Sequence, residues 1–485
     1  MRHATIASSL SCLASVGFLA ACSYPALDPL PLHGTEHKDL PLNLNRDIDL
    51  LFLIDDSPSM ADSQVNLASG FPGFIDVLGT IPGGLPNVHL AVVTSDLGSK
   101  GADDPAPGPG IGAIGQGGCS GFGKAGNMQL FGASVTSSDK FISDILDPAK
   151  IDGTRIRNYT GTLTDAFSKM ARAGAGGCGF EQHLEAIKQA LEPTNTANTG
   201  FLRPDAYLAV IIVADEDDCS MSHSSLIATG DDGPLGPLQS FRCTRFGVLC
   251  DDGGATSDAM NEVGPKTKCH PDDDSPYLTK VSDYAKFLQG LKTDPNNVIV
   301  AGILGTTEPF AVELRTLPAT TTMVPSLAHS CTYVGGDGKP EVADPAIRLK
   351  FFLDQFPYRS AFSPICDRDL SSGLQQIGAL LKTVFVGDPC IEGTLADVDL
   401  NTAGPQYNCT VSAITDRSAP TQSERVLPRC TPEDALATNQ PCWHLATDAA
   451  SCPNSDHLML KIEGLGSLPR NTHVVADCTT AATNP

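Results

Sequence analysis

The sequence predicts an α/β fold, a mainly parallel sheet flanked by helices, with long insertions and a small disulfide-rich β C-terminal module. Three observations carry that prediction. Four short apolar runs, at 48–54, 88–93, 208–213 and 298–304, have the length and continuity of strands buried on both faces. Segments with helical spacing lie between and after them, and strands that alternate with helices call for parallel pairing with helices on both sides. From residue 387 the helical periodicity stops, and Cys390, Cys409, Cys430, Cys442, Cys452 and Cys478 occur in a tail with strand-like runs at 457–462 and 473–475.

Taken in order, residues 1–21 have the layout of a secretory signal peptide: Arg2 near the start, a stretch of apolar and small residues, and a small-residue cleavage site. The ending Leu19-Ala20-Ala21-Cys22 resembles the lipobox of bacterial lipoproteins, which implies a lipid on Cys22 as the first mature residue. The alternative is an ordinary cleaved signal in which that cysteine is incidental. Residues 22–46 then read as anchor and tether, with Pro25, Pro29, Pro31 and Pro41 and no periodicity. Extended at ~3.1 Å per residue, the tether would reach roughly 75 Å.

The body spans residues 47–386. Leu67, Phe71, Phe74, Ile75 and Leu78 share a helical face, with a kink or break expected at Pro72. Leu163, Ala166, Phe167 and Met170 mark a second helix, and Phe180, Leu184, Ile187 and Leu191 a third. Ser275-Pro276 reads as cap and first turn of a fourth, carrying Leu278 to Leu291, and Leu370 to Val384 forms a fifth. Insertions at 98–139, 219–274 and 306–368 interrupt the pattern, the first rich in Gly and Pro, and each carries at least one cysteine.

The formal charge of −24 argues against nucleic acid as a partner, since phosphate binding needs a basic surface. Of sixteen cysteines, Cys12 falls in the leader and Cys22 at the anchor. The other fourteen (Cys119, Cys178, Cys219, Cys243, Cys250, Cys269, Cys331, Cys366 and the six of the tail) are an even set suited to disulfides in an oxidising compartment. No Cys-x-x-Cys pair is present, which speaks against zinc.

The chemistry concentrates at Asp55-Asp56-Ser57-Pro58-Ser59, directly after the first apolar run. A carboxylate and two hydroxyls on alternate residues are oxygen ligands suited to a hard divalent cation, Mg²⁺ or Ca²⁺. In open parallel sheets, ligands gather beyond the carboxyl ends of the strands, where Asp55 would lie. The Asp-x-Ser-x-Ser motif, its strand, the following helix and the α/β alternation resemble the von Willebrand factor type A family. That resemblance implies a Rossmann-like fold and a metal-ion-dependent adhesion site. It implies direct ligation by Ser57 and Ser59, Asp55 acting through water, and a further aspartate at Asp215, after Val213-Ala214.

The family's second loop supplies a threonine, whereas this chain reads Gly176-Gly177-Cys178-Gly179-Phe180-Glu181. Cys178 in that place is a soft ligand poorly matched to Mg²⁺ or Ca²⁺, and reads instead as half of a disulfide, with Cys119 a partner by position. Glu181 could supply the replacement oxygen. Within Asp215-Glu216-Asp217-Asp218, Asp217 or Asp218 could assist or hold a second ion, or face water. Asp96 is a weaker candidate at the same edge. Asp397-x-Asp399-x-Asn401 reads as a turn.

No Gly-x-Ser-x-Gly, phosphate-binding loop or His-Glu-x-x-His motif is present, and His183 beside Glu185 reads as a solvated helix face. The resulting expectation is a binding protein without catalytic residues, exported and lipid-anchored to the bacterial cell envelope at the outer membrane. It would engage a protein partner through the bound cation, by capturing an acidic side chain. A metal-free, disulfide-braced scaffold and a metal-dependent hydrolase are the alternatives.

Overall fold

A computed structural model of the 485-residue chain describes residues 34–40, 46–81, 84–147, 149–150, 153–229, 233–317, 320–336, 338–386, 389–399, 401–402, 404–415, 420–430, 440–449, 452, 456–464, 468 and 472–481. The leader, Cys22 and the first part of the tether lie outside them. In chain order, β1 (Thr35–Leu40) precedes β2 (Asp47–Ile54), and α1 (Ala61–Gly79) follows the motif. Next come β3 (Asn87–Thr94), β4 (Ile142–Leu146), β5 (Arg155–Arg157), α2 (Leu163–Met170), α3 (His183–Leu191) and β6 (Tyr207–Val213). The second insertion holds α4 (Phe241–Gly247), β7 (Val248–Asp252), α5 (Ser257–Met260) and β8 (Gly264–Pro271). After α6 (Val281–Gly290) and β9 (Val298–Leu304) come β10 (Phe310–Thr316), β11 (Met323–Leu327), β12 (Cys331–Val334), β13 (Pro340–Ala343), α7 (Ile347–Asp354), β14 (Ser360–Pro364) and α8 (Ser371–Val386). The tail forms β15 (Cys409–Thr415), β16 (Ser423–Val426), β17 (Cys442–Thr447), β18 (Leu458–Glu463) and β19 (Thr472–Thr479).

The seven-stranded central sheet has the order β14-β9-β6-β2-β3-β4-β5. Its β14, β9, β6, β2 and β3 run parallel, and β4 joins β3 antiparallel. The chain leaves β2 towards β3 on one side and later continues from β6 on the other, so the topological switch lies between β2 and β6. Side chains of β2 alternate as the pleat demands: Leu50 and Phe52 pack with α1, α2 and α8, while Leu51 and Leu53 pack with α3, α6 and α7. Each is fully buried, contributing on the order of 1.5–3 kcal/mol from area alone.

Several expectations are corrected in detail. Pro72 does not break α1, which runs continuously through it. The proline lacks the amide that would reach the Ala68 carbonyl, and the Ser168 hydroxyl of α2 donates to that carbonyl instead, at 3.4 Å. The fourth helix begins at Val281 rather than at Ser275, whose Oγ accepts from the amides of Tyr277 and Leu278 in a separate turn. The third insertion is not wholly an insertion, because α7 and β14 complete the central layer: β14 is its edge strand, and α7 covers the same face as α3 and α6. The stretch read as tether includes β1, which pairs with β19 from Thr35↔Thr479 to Leu40↔Val474. The C-terminal β module is therefore closed by a strand from the other end of the chain, in the order β1-β19-β15-β16, and Thr35–Leu40 is strand rather than tether.

Seven disulfides pair all fourteen cysteines outside the leader and anchor: 119–178, 219–243, 250–269, 331–366, 390–452, 409–478 and 430–442. Among the described residues no helix is long and apolar enough to cross a membrane.

Candidate functional site

The loops after β2 and β6 meet at the switch point, and the chain between α2 and α3 closes over them. The Asp55 amide donates to the Val213 carbonyl at 3.0 Å, which extends the β2–β6 pairing by one step and fixes where the carboxylate leaves the sheet. Asp55 Oδ1 accepts from the Ser57 amide at 2.8 Å and from Ser95 Oγ at 3.3 Å. Ser57 Oγ lies 2.9 Å from Ser59 Oγ and 3.4 Å from Glu216 Oε2. Gln64 of α1 donates to the Asp55 and Gly174 carbonyls, tying the first loop to the second.

Asp55, Glu181 and Glu216 bring carboxylate oxygens within 4.8 Å of one another. Asp55, Ser57, Glu181 and Asp215 are buried, and Ser59 and Glu216 are partly so. Asp55 Oδ2, Glu181 Oε1 and Asp215 Oδ1 are buried without a hydrogen bond. Burial, reinforced by the charge of Asp55, pushes the Asp215 carboxyl up to about 7 against the pull of Glu216 and Ser59. Burial and the same charge raise Glu181 well above the ordinary carboxylate range, and burial with the Glu181 charge does so for Glu216. An all-oxygen set with orphaned acceptors fits Ca²⁺ or Mg²⁺.

Two protein cations stand at the edge of the cluster. Lys124, from the first insertion, pairs with Asp56. Burial still holds the Asp56 carboxyl up to about 6, with Lys124 opposing. His183 Nε2 lies 3.5 Å from Asp55 Oδ2. Burial works against its imidazolium, but Asp55, with Asp218 and Asp217 behind it, outweighs that and raises its pKa. His183 and Glu185 are buried, contrary to the solvated face expected of them, and Glu185 accepts from Tyr284 Oη at 3.0 Å.

Cys178 is bonded to Cys119, so a disulfide stands where the resemblance places a threonine hydroxyl. Gly177 approaches so closely that a Cβ there would lie 2.5 Å from Asp56 Oδ1, and its amide donates to the Asp56 carbonyl at 2.7 Å. Asp217 does not face the cluster. It accepts from the amides of Arg348 and Leu349 at the start of α7, at 2.9 and 3.0 Å. Burial lifts it to about 6 even so. Asp218 accepts from Arg348 Nη2 at 3.0 Å and from the Leu184 amide at 3.0 Å. Both carboxylates are thus committed to α7, α3 and Arg348, and neither is placed for a second ion. Asp96 Oδ1 caps the Gly98 amide. Asp397 and Asp399 accept local amides, as a turn would.

Sequence reasoning passed over Glu216, Ser95, Gln64 and Lys124. Glu216 had a visible signal, because it follows Asp215 at the end of an apolar strand. The other three reach the site through tertiary contacts that no local pattern marks.

The chain matches no protein-family model and no curated protein. Among solved structures, the pilus adhesin SpaC from Lactobacillus rhamnosus GG, in its open conformation, aligns over 90% of this chain and 39% of its own, with 9% identity and a TM-score of 0.29. The conserved hypothetical protein BatB from Bacteroides thetaiotaomicron aligns over 70% and 98%, with 9% identity and a TM-score of 0.24. The pilus adhesin RrgA from Streptococcus pneumoniae aligns over 93% and 58%, with 12% identity and a TM-score of 0.23. The chain spans about two fifths of the length of the first of these. Likeness at this level identifies neither a family nor a function.

Proposed function

We propose that the chain is an exported, lipid-anchored binding protein whose α/β domain is of the von Willebrand factor type A kind and holds a divalent cation at the switch point of its sheet. The convergence of Asp55, Glu181 and Glu216 within 4.8 Å carries this reading. Carboxylates crowded at low dielectric repel one another and lower their energy by sharing a cation. Ser57 and Ser59 add neutral oxygens, and Asp215 stands beside them. The mainly parallel sheet and the motif at the end of its central strand β2 support the family reading. The seven disulfides fit an oxidising compartment outside the cytoplasm.

Glu181 and Glu216 bring two carboxylates where the resemblance would leave coordination to a threonine and a partner's acid. The cation in this chain therefore has a carboxylate-rich shell, and its work is to hold three loops in one arrangement against which a partner protein docks. No step of this role needs a catalytic residue.

Calorimetric titration of the detergent-solubilised full chain with Ca²⁺ and Mg²⁺ tests the reading. Saturable binding is expected, weakened at least tenfold by Ser57→Ala and by Glu216→Gln. No binding in the wild type, or equal binding in the variants, would favour the metal-free, disulfide-braced scaffold.

A further inference from the structure

Beside the carboxylate cluster a cleft of about 250 Å³ opens between the acidic loop after β6 and a wall built from the second and third insertions. Glu181, Glu216 and Asp344 present carboxylates to it. The lining also carries the apolar groups Phe241, Leu317 and Val324. We propose that this cleft is the partner-recognition subsite and that it receives a basic side chain, arginine or lysine, of the partner protein.

Three features of the cleft support this chemistry. The first is charge. Glu181, Glu216 and Asp344 stand against the single guanidinium of Arg315, while Asp217 and Asp218, also in the lining, are already held by α7 amides and Arg348. Arg315 is already engaged, its Nε donating to Glu313 Oε1 at 2.7 Å. A divalent ion on the neighbouring cluster, together with the His183 imidazolium, would offset three of the four formal charges of Asp55, Glu181, Asp215 and Glu216, and Asp344 lies outside that set. An acidic partner group would therefore enter an anionic cleft, and a basic one is matched to it. The second is Glu181 itself, 2% exposed, whose Oε1 has no hydrogen bond. The third is shape: the volume falls below the ~300 Å³ at which drug-sized ligand sites begin and suits one long side chain. An aliphatic stem would lie along the apolar groups while the charged head meets the carboxylates.

The inference deepens the proposed binding role, resting on it for the existence of a partner, but its test separates from that of the cation. Ligand-observed magnetic resonance on the full chain in detergent, at saturating Ca²⁺, would compare agmatine as the guanidinium probe with glutarate as the acidic one. Saturable agmatine binding is expected, with none for glutarate. Thr316→Lys places a competing ammonium at an exposed position on the cleft wall, away from the cation cluster. It should weaken agmatine at least tenfold while leaving Ca²⁺ binding unchanged, and Asp344→Asn should weaken agmatine as well. Glutarate binding without agmatine binding, or agmatine binding indifferent to both substitutions, would overturn the proposal. Agmatine binding as described in a chain that binds no Ca²⁺ would sink the cation reading and leave the cleft assignment standing.

Discussion

Raising pH from 5 to 8 in the presence of a chelator should destabilise the α/β domain, and Ca²⁺ should reverse the loss. Asp215 shows the size of the effect. Its carboxyl sits at about 7 in the fold against the 3.8 of an ordinary aspartate. Between those values the folded chain binds more protons at this group than the unfolded chain does, so stability falls as pH rises. Below the lower value the carboxyl is protonated in both states and contributes nothing to the slope. Once fully ionised it costs about 4 kcal/mol. Asp56 and Asp217, each held up to about 6, act in the same direction. So does His183, whose raised pKa gives stability that is present at low pH and lost as the imidazolium deprotonates. Asp104, at about 2, changes stability only below the window.

From pH 5 upward Asp215 supplies about 3 kcal/mol of that cost, and for a domain of about 340 residues the unfolding entropy is about 0.7 kcal/mol/K, so Asp215 alone corresponds to about 4 °C across the window. Scanning calorimetry at pH 5, 6, 7 and 8 in chelator should show the melting temperature descending by at least that amount. At pH 8, millimolar Ca²⁺ should raise it again, and Glu216→Gln should lose most of the rise. A chelated melting temperature that is flat or climbs between pH 5 and 8, or a Ca²⁺ effect equal in wild type and variant, would refute the reasoning from the buried carboxylates to a cation.

Arg348→Met strips the counter-charge from buried Asp218 and should cost about 3–5 kcal/mol in denaturant unfolding, because the carboxylate stays buried with only amide and hydroxyl donors. Replacing Cys119 and Cys178 together by serine opens a link between residues 59 apart, for which chain entropy predicts a loss of about 4 kcal/mol. The same variant should weaken Ca²⁺ binding in calorimetry, because the loop bearing Glu181 is no longer clamped. Cys22→Ser should move the protein from the membrane fraction to the soluble fraction, and unchanged fractionation would count against the anchor.

The parallel sheet was legible because its strands are buried on both faces, which forces unbroken apolar runs such as 50–54 and 208–213. The outer strands β4, β5 and β14 carry no such run, being partly buried or exposed, and they emerge only from pairing. The helix is not broken at Pro72 for a similar reason, since the hydroxyl that satisfies the Ala68 carbonyl belongs to a helix about a hundred residues away. The β module's first strand was read as tether because its partner, β19, lies near the other end of the chain.

By itself the sequence determined that Asp55, Ser57 and Ser59 stand at the carboxyl end of a buried strand, because local hydrophobicity ends there and oxygen side chains begin. It also determined that Asp215 ends a second such strand. Only the tertiary structure decided which acids face the same point: it turned Glu181 and Glu216 inward and gave Asp217 and Asp218 to α7, α3 and Arg348. Charge in a run of four carboxylates carries no direction. Direction comes from helix amides and a buried guanidinium that long-range packing brings to two of them and not to the others.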